Sequence, residues 1–162
     1  MGGLSPLGLF HTLIALVALV FGVAALIRDR EILLDNRLGQ LYLGATFVAA
    51  ATSLGIFRHG TFGPPHVLAV LTLVALAVGT LAGATELFGR RARAVRIVSY
   101  TFTLLLGHLI PGFAETLTRV PRGAPIAASP DDPILRPILG GLVAVFAVVV
   151  FLQLRRAKNA TA

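Results

Sequence analysis

Apolar residues run through this chain in five long blocks, not in the short alternation of half-buried strands. The blocks cover residues 7–27, 38–57, 65–83, 97–116 and 134–154, each close to the roughly 20 residues a helix needs to cross a bilayer. Between them stand "RDREILLDNR", "RHGTFGPP", "TELFGRRARAVR" and "RVPRGAPIAASPDDP", where charge, proline and glycine collect. Lipid offers no partner to a backbone N–H or C=O, so such blocks form helices, whose hydrogen bonds are internal. The pattern predicts an all-α integral membrane bundle of about five transmembrane helices, with residues 1–162 as a single domain. Asp132, just before Pro133, is placed to start the fifth helix.

Composition agrees with the pattern. Of 162 residues, 56% are hydrophobic and 13% charged, and the mean hydropathy is +0.88. Soluble domains carry about a quarter charged residues, and a water-soluble fold of this size has too little interior for so much apolar surface. Cysteine is absent, which excludes disulfides, thiolate metal sites and cysteine nucleophiles together. The net charge of +7 does not point to nucleic acid, because the cations sit between apolar blocks and form no basic face.

Those cations set an orientation. Arg28, Arg30, Arg37, Arg90, Arg91, Arg93, Arg96, Arg155, Arg156 and Lys158 fall on one side; Arg58, Arg119, Arg122 and Arg136 fall on the other. The positive-inside rule puts the richer side in the cytoplasm, with the N-terminus outside and the C-terminus inside. The opening "MGGLSPLGLF" has no basic residue ahead of the apolar run, so the first block reads as a retained helix. The expected location is a bacterial inner (plasma) membrane, crossed several times. Small residues at four-residue spacing (Ala45, Ala49 and Ser53; Ala75, Gly79 and Gly83; Gly140 and Ala144) predict close helix packing.

Polar side chains inside the blocks carry the candidate chemistry. His108 lies twelve residues beyond Arg96, about 18 Å up a hydrocarbon core about 30 Å thick. His11 and His66 lie near the outer ends of their blocks, His59 is in the outer loop, and the inner half holds no histidine. Glu115 follows His108 by two turns on the same helix face. An ionisable residue within a span faces the protein interior by default and marks a site. Pro111 and Gly112 loosen the helix just above His108. Against this stands a plain structural role, in which a neutral histidine bonds a hydroxyl or carbonyl across helices and His11 and His66 are wet at the interface.

The stretches "LDNRLGQLYLGATFVAAATSLGIF" and "GPPHVLAVLTLVALAVG" resemble a family of small bacterial membrane proteins known as a domain of unknown function, number twenty-three-oh-six. His11, "RLGQLY" at 37–42, His66 and "TRVPR" at 118–122 fall in the family's order, over about three quarters of the chain. The family's histidine before the second span is Asp35 or Asn36 here, and its histidine before the fourth is missing from "RRARAVRIVSY". If the family's histidines form two sites, the resemblance implies that this chain keeps only the outer one. It carries no activity with it.

Two functions compete. In the first, histidines in the outer half hold a cofactor: haem b ligated by His66 and His108 with His11 in reserve, its propionates reaching Arg58, Arg119 or Arg122, or a divalent metal ion on His11, His66, His108 and Glu115. A two-haem relay across the membrane is excluded by the histidine-free inner half. In the second, the chain is a structural or accessory subunit packed against other membrane subunits or a second copy of itself. A transporter or channel fits poorly, because spans two and three offer no charge to line an ion path and span five has only Arg136 at its outer end. An enzyme of soluble type fits least, since no nucleophile elbow, phosphate loop or carboxylate pair suited to catalysis occurs.

Overall fold

A computed structural model of the chain describes residues 5–57, 61–121 and 123–159. The described residues are helical and contain no strand. Helix α1 runs Pro6–Asp29, α2 Arg37–Ser53, α3 Pro64–Ala84, α4 Ala92–Phe102, α5 Leu109–Leu117 and α6 Leu135–Asn159. A π-helical segment, Thr103–His108, joins α4 to α5, so that Gly89–Leu117 is one rod. Four helices are long and apolar enough to cross a membrane: α1, α3, this rod and α6.

Block two differs from expectation. Its helix ends at Ser53 and has 17 residues, and the chain turns at Leu54 and Gly55 before reaching Phe57. Even so, α2 accompanies α1 over most of its length in antiparallel fashion. His11 near the start of α1 meets Ala49 and Thr52 near the end of α2, while Asp29 at the other end accepts a hydrogen bond from Asn36.

Local chemistry sets the helix ends. The Ser5 hydroxyl accepts the Gly8 N–H and Pro6 occupies the first turn of α1, where no donor is needed. Asn36 caps α2 through the Gly39 N–H, and two prolines open α3. Ahead of α6, the Asp132 carboxylate accepts the N–H groups of Ala128 and Ile134. Those two bonds hold its carboxyl below the usual carboxylate range. The first helix closes on Arg30 in the left-handed region, φ 65°.

Hydroxyls share the interior with apolar side chains. The largest fully buried side chains among the described residues are Tyr42, Tyr100, Leu104, Leu135, Thr46, Thr101 and Thr103. Leu13, Val20, Ile27, Val74 and Phe151 face outward. Glycines admit the rings: a β-carbon on Gly22 would stand 2.7 Å from the Tyr42 ring, and one on Gly79 would stand 2.5 Å from Tyr100. The small-residue stripe on α3 therefore does what its spacing predicts at Gly79. The stripe on α6 does not, for Gly140 has nothing within 4 Å of a β-carbon.

Contacts between the ends gather the arginines. Glu31 bridges Arg93 and Arg96, Gln153 donates to the Arg30 carbonyl, and Gly83 lies against Leu34 and Arg96. This end holds the ten cations of the richer side.

Candidate functional site

Pro111 explains the backbone at the centre. It has no N–H for the Gly107 carbonyl, and its ring crowds that carbonyl, so the helix beneath it widens into the π segment. Thr103 and His108 bound that segment. The Tyr100 carbonyl, just below it, accepts the Thr103 hydroxyl at 2.9 Å.

From this bond a direction of donation can be followed through buried hydroxyls. Thr103 has spent its one proton on the carbonyl, so Tyr42 donates to Thr103 Oγ1, at 2.6 Å. Thr46, one turn along α2, lies on the same helix face as Tyr42. Thr46 Oγ1 in turn lies 3.0 Å from His108 Nε2. Donation thus runs from Tyr42 through Thr103 to the Tyr100 carbonyl, while Thr46 fastens His108 Nε2 to α2. His108 Nδ1 has no hydrogen bond to a described residue. The imidazole faces the bundle interior, with the Tyr42 ring set edge-on at 6.2 Å.

His11 is fixed on the neighbouring helix. Its Nδ1 lies 2.9 Å from the Ala49 carbonyl, which can only accept, so Nδ1 carries the proton and Nε2 the lone pair. Thr52 Oγ1 is 3.3 Å from the same nitrogen. Ala49 and Thr46 are one turn apart on α2, so His11 and His108 bind adjacent turns of one helix.

His66 belongs elsewhere. It is 5% exposed and stacked between Phe57 and Phe62, at ring distances of 4.6 and 5.0 Å. Its Nδ1 accepts the Gly63 N–H at 3.2 Å, reaching back over the first turn of α3. The proton therefore sits on Nε2, which is buried and has no partner among the described residues. A ligating imidazole must offer a lone pair outward, and His66 offers an N–H there. Along α3 it also lies six residues before Thr72, whose side chain is level with Gly107, hence roughly 9 Å above His108.

The expected single layer of three histidines is thus a staircase. The structure does not bring His66 and His108 together as facing axial ligands. Nor does it assemble His11, His66, His108 and Glu115: among the described residues no group of three or more metal-binding side chains is close enough to hold an ion. Glu115 is instead ion-paired to Arg119, one turn on. His59, Arg58 and Arg122 lie outside the described residues. Two surface grooves, of about 270 and 360 Å³, are lined by Leu34, Asp35, Gly83 and Arg96 and by an apolar strip of α1. Neither includes a histidine.

Reading by charge alone missed the uncharged interior: Tyr42, Thr46, Tyr100, Thr103, and the Thr101–Gln153 bond at 2.7 Å that ties α4 to α6. The signal was present, since Tyr42 and Thr46 are four residues apart and so share a helix face. No family model, curated protein or solved structure matches the chain.

Proposed function

We propose that the chain is a multi-pass membrane protein whose centre is the His11–His108 pair, a site for one ligand that accepts two imidazole nitrogens. The observation that carries this reading is that each ring is fastened to α2 through one nitrogen, His11 Nδ1 by the Ala49 carbonyl and His108 Nε2 by Thr46, which leaves the second nitrogen of each without a hydrogen bond to a described residue. Orienting bonds of this kind accompany histidines that hold metals. Two nitrogens match the two axial positions of haem iron, whose macrocycle supplies the rest, better than they match a bare zinc ion, which takes three or four protein ligands. On this reading the pure protein is coloured, with a Soret band that His11→Ala or His108→Ala reduces several-fold and His66→Ala leaves intact. Near-stoichiometric zinc or copper without colour, lost in the same two variants, would move the reading to a cation. A colourless, metal-free protein ends it.

A second reading, an accessory subunit, is favoured by a different observation. Each of the two histidines already fastens a neighbour to α2, and α6 keeps Gly140 and Gly141 uncovered. Co-purification with larger membrane subunits would support it.

We also propose five crossings, with the arginine end in the cytoplasm and the N-terminus outside. Support comes from the antiparallel run of α2 beside α1 and the imbalance of ten cations to four. The chain has no cysteine of its own, so a single cysteine at Ala92 reports cleanly. It should resist an impermeant thiol reagent in intact cells and react once they are opened. Labelling from outside would reverse the topology.

A further inference from the structure

The arginine end carries an inference independent of the histidine pair. The groove of about 270 Å³ there is lined by Leu34, Asp35, Gly83 and Arg96. Gly83 is the penultimate residue of α3 and Arg96 is one turn into α4, so the groove opens where apolar spans give way to charged chain. Headgroups lie at that depth. Its volume falls below the roughly 300–1,000 Å³ of pockets for drug-sized ligands.

The charged groups at the groove are unbalanced in two complementary ways. Glu31 is a single carboxylate facing two guanidinium groups, Arg93 at 2.8 Å and Arg96 at 3.1 Å. One positive charge is left over. Among the described residues Arg96 meets Glu31 through Nη2 only, and its buried Nε–H finds no acceptor. Asp35 on the other rim has the opposite condition: an exposed carboxylate with no hydrogen bond or ion pair to a described residue. An unmatched donor on a cation and an unmatched anion thus flank an apolar floor made by Leu34 and Gly83.

We propose that this groove seats the headgroup of an ethanolamine phospholipid, its phosphate on Arg96 and its ammonium on Asp35. The phosphate takes the surplus positive charge, and arginine's planar fork suits phosphate oxygens. The ammonium gives Asp35 the donors that it lacks. Choline cannot do so, having no N–H, and glycerol headgroups bring no cation. Basic pockets between spans on the cytoplasmic side are a recurrent place for phospholipid headgroups. The acid at the rim is what makes this one select for an amine.

The test is native mass spectrometry of the delipidated full chain in detergent, given dioleoyl phosphatidylethanolamine, phosphatidylcholine or phosphatidylglycerol at equal concentration. One ethanolamine lipid per chain should be retained, roughly tenfold above choline lipid, the size of one charge-assisted hydrogen bond. Asp35→Asn should remove that preference without touching the fold, because the side chain has no partner to lose. Arg96→Gln should lower retention of all three lipids. Equal retention of ethanolamine and choline lipids overturns the proposal, as does a preference that survives Asp35→Asn. Stronger retention of phosphatidylglycerol would mark a merely basic surface. Soluble phosphoethanolamine binding as tightly as the lipid would assign the groove to a free metabolite instead.

Discussion

Gly39→Ala should destabilise the bundle by about 3 kcal/mol, a loss on the order of 10 °C in detergent melting, although it adds one methyl group. A β-carbon on Gly39 would stand 1.6 Å from the Leu33 carbonyl oxygen and 2.7 Å from its carbon. Both obstacles are backbone, so no side-chain rotation relieves them. The segment from Arg30 to Asn36 folds across the start of α2 at this point, and several bonds depend on it. Asn36 caps the helix through the Gly39 N–H and donates to Asp29, and Gln40 reaches the Leu34 carbonyl. Moving that segment by the ångström or more that alanine demands also displaces Glu31 from Arg93 and Arg96. Overpacking within a core usually costs about 1–3 kcal/mol; with backbone on both sides, the upper end is expected. Gly44→Ala is the control, since nothing lies within 4 Å of a β-carbon there. Equal melting of the two variants would show that the segment yields freely and that the close approach is not structural.

Gly39 and Tyr42 both lie in "RLGQLY", at 37–42. In this fold the glycine serves a backbone crossing and the tyrosine a buried hub, so the motif has a structural use apart from any ligand. The helices themselves were legible because lipid enforces them: an apolar run of about 20 residues has one way to satisfy its backbone. The boundaries of α1, α3 and α6 follow from the serine, proline and aspartate ahead of them. Block two was read too long, because Leu54, Gly55 and Ile56 are apolar and nothing in their composition marks the turn that Leu54 and Gly55 make. The histidines were legible as interior groups but not as a constellation. Counting residues from a charged boundary gives depth to within a turn or so, yet whether a ring nitrogen holds a proton or a lone pair depends on partners 38 to 62 residues away in the chain. His66 shows the limit from the other direction, for its role is set by the Gly63 N–H three residues back, at a helix start rather than in a site.

Tyr42→Ala should cost about 3 kcal/mol and Tyr42→Phe only about 1, with the smaller change having the more specific consequence. The Tyr42 ring is fully buried, and it fills the space that Gly22 leaves beside Leu104. Removing it opens a cavity that neighbouring helices cannot close, and lipid does not lessen that penalty, since packing rather than transfer from water holds spans together. The hydroxyl contributes less, because interhelical hydrogen bonds in membranes average about 0.6 kcal/mol when measured by double-mutant cycles. Its loss nevertheless takes the donor from Thr103, and Tyr42 lies one turn along α2 from Thr46, which holds His108 Nε2. Nitrogen-15 spectra of histidine-labelled protein separate the two tautomers of His108, and Tyr42→Phe should change their balance. A coupled loss of ligand in Tyr42→Phe, despite a nearly native melting temperature, would tie the hydroxyl chain to the His11–His108 pair. The same tautomer in both proteins would break that tie, and Tyr42→Phe melting as low as Tyr42→Ala would mean that the hydroxyls, not the ring, hold the interior together.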